Sequence, residues 1–239
     1  ERKLYFYIAS TWVNEKYTKF ELYINAWICV SGKPQEIEIE HCSSNLCDQK
    51  DATYDGPMGQ LELLINSSMS CTQEITLKCL LAAAKVRKKF DKVLYIDLDV
   101  HHGDGVENAF AFTKKVFTFS IHKYSPGFYP GSGSFQDVGF GKAKYYCLNV
   151  PLKDGINDEQ YNTIFTKLFE KLYCKFQPNA IVVQCGADCL TGDPLGGFNL
   201  TPNGMEKCIN LVTQYAQKTP CLFLGGGGYN RTNAARYWT

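Results

Sequence analysis

An excess of charge of one sign is missing from this sequence: 25 lysines and arginines face 24 aspartates and glutamates, a net charge of +1 over 239 residues. That balance excludes a strongly basic nucleic-acid binder and an acidic tail, because phosphate binding needs a clustered Lys/Arg excess. No stretch of about 18 residues is both apolar and uncharged, which excludes a membrane-spanning helix. Repeats and low-complexity tracts are absent, and 14% aromatic content does not suit a disordered chain. CxxC pairs are absent too, and the 11 cysteines are odd in number and irregularly spaced. Cys185, Cys189 and Cys221 sit in apolar, strand-like stretches, where free cysteine packs as a small hydrophobe. A chain of this size needs no disulfide staples. The opening residues do not form a signal peptide. A reducing interior, nucleus and cytoplasm, is therefore expected, against three N-x-S/T triplets at Asn66, Asn199 and Asn230.

What is present is enough for one large domain that buries roughly 70% of its unfolded surface. Residues 1–70 are irregular: Leu4–Ile8 and Phe20–Val30 are apolar, 36–40 alternate acid with isoleucine, and 41–58 are polar and loop-like. From residue 71 the pattern is regular. Ile75–Phe90 predicts a helix with a basic last turn, and further helices are expected over Val106–Phe112, Asp158–Phe176, Pro202–Gln217 and from Thr232. Between them lie apolar strands: Val93–Ile96, Val116–Ile121, Tyr146–Val150, Ala180–Cys185 and Cys221–Leu224. A Gly/Ser/Pro-rich loop covers 123–145. Strands alternating with helices, each strand apolar throughout, predict an α/β fold with a parallel sheet flanked by helices. In such sheets ligands bind beyond the carboxyl ends of the strands. The chain opens at Glu1 and stops at Thr239 inside a helix-like run, so a fragment or partial gene model is expected, truncated at its C-terminus.

The polar residues of interest follow the strands. After Val93–Ile96 comes Asp97-Leu98-Asp99-Val100-His101-His102-Gly103-Asp104-Gly105. In extended backbone Asp97, Asp99 and His101 would share one face. Two carboxylates and an imidazole converging there are costly unless a cation neutralises them. Asp188 stands alone after the Ala180–Cys185 strand. Asp99, His101 and Asp188 together would make an O/N/O site with an open position, the arrangement of a catalytic zinc; iron suits the same donors. The plainer reading is that these acids cap the following helices. Gly225–Gly228 and Tyr229 follow the last strand, where glycine lets backbone approach a ligand closely. No Lys-Ser/Thr follows, so the run is not a phosphate loop. The Tyr229 hydroxyl could donate to a developing oxyanion, or its ring could simply cap the loop.

"YIDLDVHHGDGVENAF", "SIHKYSPGFYPGSG", "QCGAD" and "LGGGGYN", spread over residues 79–239, together resemble the class I zinc-dependent histone deacetylases. The resemblance implies an arginase–deacetylase fold, a three-layer α/β/α sandwich, and hydrolysis of acetyl-lysine amides in histone tails or other proteins. It implies no direct nucleic-acid or membrane contact. Asp99, His101 and Asp188 match the family's zinc ligands and Tyr229 its carbonyl-polarising tyrosine. Asp97, Ser120 and Ile121 match ligands of a potassium ion, with backbone carbonyls from Asp99 and His101. Phe110, Thr113, Val116 and Tyr146 match a second potassium site. Phe128, Tyr129 and Gly227 fall on the substrate's side of the site. Asp55 in Tyr54-Asp55-Gly56-Pro57 matches the aspartate that holds the substrate backbone.

One part of the family pattern is replaced. Its general base belongs to a Trp-His-His run, which in register falls near Leu63 and Leu64, and Thr72-Gln73 stand where the family has Gly-Phe. The chain has four histidines, His41, His101, His102 and His122. The adjacent pair belongs to the metal motif, leaving Asp97 and Asp104 without the histidines they would orient. The alternative reading is therefore a catalytically inactive zinc-binding relative that binds acyl-lysine or a partner. An acetylpolyamine or small-amide hydrolase on the same fold is a third. The abrupt change near residue 71 suggests a missed or mis-joined exon. A full-length transcript matched to genomic DNA is expected to restore a His-His pair upstream of Cys71; one that keeps Leu63-Leu64 overturns this.

Overall fold

The structure is a computed structural model that describes residues 25–30, 33–38, 86–217 and 219–239. Leu4–Ile8, His41, Asp55, Leu63, Leu64, Thr72 and Gln73 lie outside the described residues. So does most of the helix expected over Ile75–Phe90, of which 86–89 are helical. An antiparallel hairpin joins β1 (Asn25–Val30) to β2 (Lys33–Glu38), with Asn25 opposite Glu38 and Val30 opposite Lys33.

Five further strands form one parallel sheet: β3 (Val93–Asp97), β4 (Val116–Lys123), β5 (Cys147–Leu152), β6 (Ala180–Cys185) and β7 (Cys221–Gly225), in the order β5-β4-β3-β6-β7. Between and after them run α1 (Asp104–Phe110), α2 (Asp158–Phe176), α3 (Pro202–Ala216) and α4 (Arg231–Trp238). The expected α/β class and parallel sheet are therefore observed. Register sets the site: Asp97 lies opposite Ser120 of β4 and Gln184 of β6, so these three side chains reach the same strand-end edge.

Alternation along the strands gives the sheet two different faces. Leu94 and Ile96, Phe119 and Ile121, and Ile181 and Val183 project into one apolar cluster with residues of α2, α3 and α4. α2 supplies Tyr161, Phe165, Phe169, Leu172 and Phe176, a helical stripe that is buried along the whole element. Phe165 stacks on Phe119 at 6.0 Å and on Phe169 at 5.5 Å. Asn157 starts this helix with a capping box: its side chain accepts from Gln160 N while the Gln160 side chain accepts from Asn157 N. α3 opens on Thr201, whose hydroxyl accepts from Gly204 N, with proline at the first helical position.

The opposite face carries Tyr95, Asp97, Thr118, Ser120, His122, Asn149 and Gln184, all buried. The expectation that each strand is apolar throughout is thus corrected: the strands are buried throughout, but one face is a band of hydrogen-bonding groups. α1 lies on this side, where its Glu107 accepts from Asn149 at 2.7 Å. Helices on both faces complete the three layers. α1 starts and ends two residues earlier than the expected Val106–Phe112, since Phe112 has left the helix and is 76% exposed.

Because Phe165 is fully buried between sheet and helix, Phe165→Ala is expected to cost about 3–5 kcal/mol. Asn157→Ala, which removes one half of an exposed cap, should cost about 1 kcal/mol. Urea unfolding of the two variants measures the contrast, and equal losses would contradict it.

Candidate metal centre

β3 ends at Asp97, so Asp99 and His101 do not continue an extended strand, which corrects the alternating geometry expected from the sequence. The backbone bends instead, and each carboxylate fastens the residue two further on. Asp97 Oδ1 accepts from Asp99 N at 3.1 Å, and Asp99 Oδ1 from His101 N at 3.0 Å. This local bonding curls the segment over the sheet edge and turns His101 toward Asp188, which arrives from the loop after β6. Asp188 Oδ1 accepts from Val100 N at 2.9 Å, tying the two loops together.

Three donor atoms then face one another. His101 Nδ1 lies 3.0 Å from Asp99 Oδ1 and 3.1 Å from Asp188 Oδ2, and the three ligand atoms all fall within 4.8 Å of one another. Atoms bound at 2.0–2.2 Å to one tetrahedral ion stand roughly 3.3 Å apart, so the spacing suits a shared cation. The remaining oxygens are held from behind. Asp99 Oδ2 accepts from Gln184 Nε2 at 2.7 Å and from Gly227 N at 2.8 Å. Each carboxylate therefore has one oxygen anchored and one aimed at the imidazole. Neither Asp99 nor Asp188 caps a helix, so the plainer reading of these acids is not what the structure shows.

Charge explains the choice of ligand. Burial disfavours a charge on His101, but hydrogen bonds to Asp188 and Asp99 outweigh it and raise its pKa to about 10. Burial and then the Asp99 charge push Asp188 up to about 8. Burial, followed by the same Asp99 charge, also drives Asp97 well above the usual carboxylate range. Three buried carboxylates beside one imidazole hold more negative charge than that ring can balance, and such a cluster selects a cation.

Three aromatic rings surround His101. Phe128 stacks on it at 5.1 Å and 4°, while Tyr129 and Tyr229 meet it edge-on at 6.1 Å and 6.4 Å. Phe128 is in turn covered by Lys123, whose Nζ is 4.2 Å from the ring centroid, pairs with Asp154 at 2.6 Å and donates to Gly196 O at 3.3 Å. Gly227 is buried, with its N–H on Asp99 and its carbonyl accepting from Ala187 N at 2.6 Å. A Cβ there would collide with Asp188 Oδ2, so only glycine lets this loop press against the carboxylates.

The other expected site residues are placed as follows. Asp97 sits beneath the triad, with its Oδ2 accepting from Tyr95 Oη at 2.7 Å, and Ser120 is its register neighbour. Ile121 is buried in the apolar cluster. Phe110, Thr113, Val116 and Tyr146 gather at the opposite end of β4, roughly 13 Å away along the strand. There Phe110 O accepts from Thr113 N at 3.0 Å and Tyr146 O from Thr118 N at 3.2 Å. Asp104, in the first turn of α1, uses Oδ1 to accept from Gly105 N at 2.7 Å.

His102 turns away from the triad. Its Nδ1 is 2.8 Å from Ser132 Oγ and its Nε2 2.7 Å from Glu107 Oε2, while His122 pairs with Ser120 Oγ and the Gly133 carbonyl. Sequence reasoning missed Gln184, Lys123, Glu107 and Asn149 as supports of the site. A glutamine inside an otherwise apolar strand and a lysine at a strand end were the available signals.

A parallel α/β sheet that presents an Asp/His/Asp set able to hold a metal ion beyond its strand ends fits the arginase–deacetylase class of fold. The family model described as "Histone deacetylase domain" matches residues 75–239, and the chain belongs to the histone deacetylase family. It is 53% identical over 159 residues to histone deacetylase 8 of Xenopus laevis, covering 66% of this chain and 48% of that protein. It is 50% identical over 159 residues to histone deacetylase 8 of Danio rerio, covering 66% and 42%. To histone deacetylase 1 of Homo sapiens it is 52% identical, covering 66% and 32%. The chain thus spans about half or less of the length of these relatives.

Burial, and then the adjacent His102, hold the His122 pKa down to about 4, below an unfolded value of 6.5. A depressed imidazole stabilises the fold fully above pH 6.5, and that contribution is lost as the pH falls toward 4. By NMR the His122 ring is expected to stay neutral at pH 5; a ring that charges near pH 6.5 would contradict its buried placement.

Proposed function

We propose that this chain carries the metal-binding part of a protein-lysine deacetylase site, with acetyl-lysine in histone tails or other proteins as its substrate class. The observation that carries this reading is the triad: two buried carboxylates, each anchored from behind, and an imidazole, brought from two strand ends with their donor atoms facing one another. Zinc suits the O/N/O donor set, and iron is the rival ion. When bound, the metal would polarise the amide carbonyl and lower the pKa of water toward neutrality. Asp99, His101 and Asp188 hold it. Phe128 and Tyr129 flank an extended, uncharged acyl-lysine side chain. The Tyr229 hydroxyl donates to the oxygen that gains negative charge as the amide carbon becomes tetrahedral. Asp97 and Ser120, with Ile121, would take a potassium ion beneath the triad; Phe110, Thr113, Val116 and Tyr146 would take a second. Gly227 lies on the substrate side, and Asp55, outside the described residues, matches the family's substrate-holding aspartate. The reading extends to nucleus and cytoplasm, supported by the free thiols Cys147, Cys174, Cys185, Cys189, Cys208 and Cys221.

A second reading, an acyl-lysine-binding module without turnover, is favoured by the placement of the imidazoles. Among the described residues, His101 would be a ligand, and His102 and His122 are committed to the Glu107 and Ser120 hydrogen bonds. Leu63 and Leu64 occupy the register of the family's general base and cannot accept a proton. Loss of such a base costs about 10²–10⁴-fold in rate.

Metal content and turnover separate the two readings. The purified chain is expected to hold about one zinc equivalent, and Asp188→Ala to lose it, by metal analysis after dialysis. Slow release of acetate from an acetyl-lysine peptide, abolished by Asp188→Ala, supports the hydrolase. Zinc with tight peptide binding and no acetate supports the module, and a chain that retains no metal overturns both.

A further inference from the structure

We infer that Asp193 is a positioning residue for Tyr229, an inference that rests on the oxyanion-donating role proposed for that hydroxyl. Tyr229 follows Gly225–Gly228, four residues without side chains to pack, and Gly228 has φ +151°, a backbone state side chains rarely adopt. Such a run can place the tyrosine ring in many directions. Upstream, the loop is fixed at Gly227, through Asp99 and Ala187. Downstream, the fastening is Asp193. Its Oδ2 accepts from both Tyr229 N at 2.7 Å and Asn230 N at 3.2 Å. Its Oδ1 accepts from Leu195 N at 2.9 Å, which holds the carboxylate in one orientation.

The same contact joins two loops. Asp193 belongs to the segment that begins at Asp188, a residue of the triad, and Asn230 is the N-cap of α4. An ionised carboxylate beside a helix N-terminus is also favoured by the helix dipole. Asn230 Nδ2 donates to Gly192 O at 3.3 Å and Asn233 Nδ2 to Thr191 O at 3.2 Å, so residues 191–193 grip the start of α4 at four points. The loop that carries Asp188 and the tyrosine loop are therefore tied together, with Asp193 as the carboxylate that links them. Asp193 touches neither the triad nor an acyl-lysine side chain lying between Phe128 and Tyr129. It acts through Tyr229.

The test is a double-mutant cycle on the zinc-loaded full chain, read as affinity for a trifluoromethyl-ketone analogue of acetyl-lysine in a peptide, whose hydrate presents a tetrahedral oxygen. Tyr229→Phe and Asp193→Ala are each expected to weaken binding about tenfold or more, and the double variant to be no weaker than either single. Asp193→Asn, which keeps the size and one acceptor oxygen but loses the charge, should fall between wild type and Asp193→Ala. All variants should keep one zinc equivalent, which separates a misaimed tyrosine from a collapsed triad. Losses that add in the double variant, or an Asp193→Asn chain that binds as wild type while Asp193→Ala loses its zinc, overturn the inference alone. A Tyr229→Phe chain that binds the ketone as tightly as wild type overturns the role of the hydroxyl and this inference with it.

Discussion

Negative charge gathered out of water is the constraint around which this structure is arranged. Asp97, Asp99 and Asp188 are all buried at one edge of the sheet, and a single imidazole faces two of them. Burying an ionised carboxylate is costly unless hydrogen bonds or a cation compensate it. Hydrogen bonds reach five of the six oxygens: Tyr95, Gln184, Gly227 and the backbone of Asp99, Val100 and His101 each donate to one of them. The one oxygen left over is Asp188 Oδ2, and it points at His101 beside Asp99 Oδ1. A donor set built this way favours added positive charge, which is why it is suited to hold a cation.

The parallel sheet makes this arrangement possible. Every strand ends at the same edge, so residues far apart in the chain, such as Asp99 and Asp188, meet without a long connection between them. The sheet's apolar face, closed by the aromatic stripe of α2, supplies the rigidity. Its other face supplies the hydrogen-bonding groups. Around this framework the loops carry the aromatic wall, and each is tied down by a charged residue. Lys123 holds Phe128 from behind, while Asp193 holds the backbone of Tyr229. Wall and metal site thus share supports that come from different loops.

Much of this was legible from the chain's pattern. Apolar β-branched runs alternating with helical periods marked the parallel sheet, and the acids following those runs marked the ligand edge. The helical period over Asp158–Phe176 placed α2 to the residue. Polar side chains on the inner face were not legible, because Thr118, Asn149 and Gln184 read as interruptions until strand pairing shows that they share one surface. The turn at Asp99 was hidden for a related reason. An alternating Asp-x-Asp-x-His looks extended, yet the carboxylates bond to the N–H two residues on and end the strand. His102 shows the same limit. Adjacency to His101 suggested a shared role, whereas the backbone bend sends the two rings to opposite sides.

Composition and order alone determined the α/β class and singled out Asp99, His101 and Asp188 at the strand ends, which the structure brings together. These follow from local periodicity and from the rule that buried charge must be compensated, both of which act on residue type and spacing. Which oxygen of each carboxylate faces His101, which imidazole joins the pair, and what fastens the backbone of Tyr229 were decided only in three dimensions. Hydrogen-bond direction and ring orientation depend on neighbours brought together by strand register and loop closure, and those neighbours are up to 128 positions away along the chain.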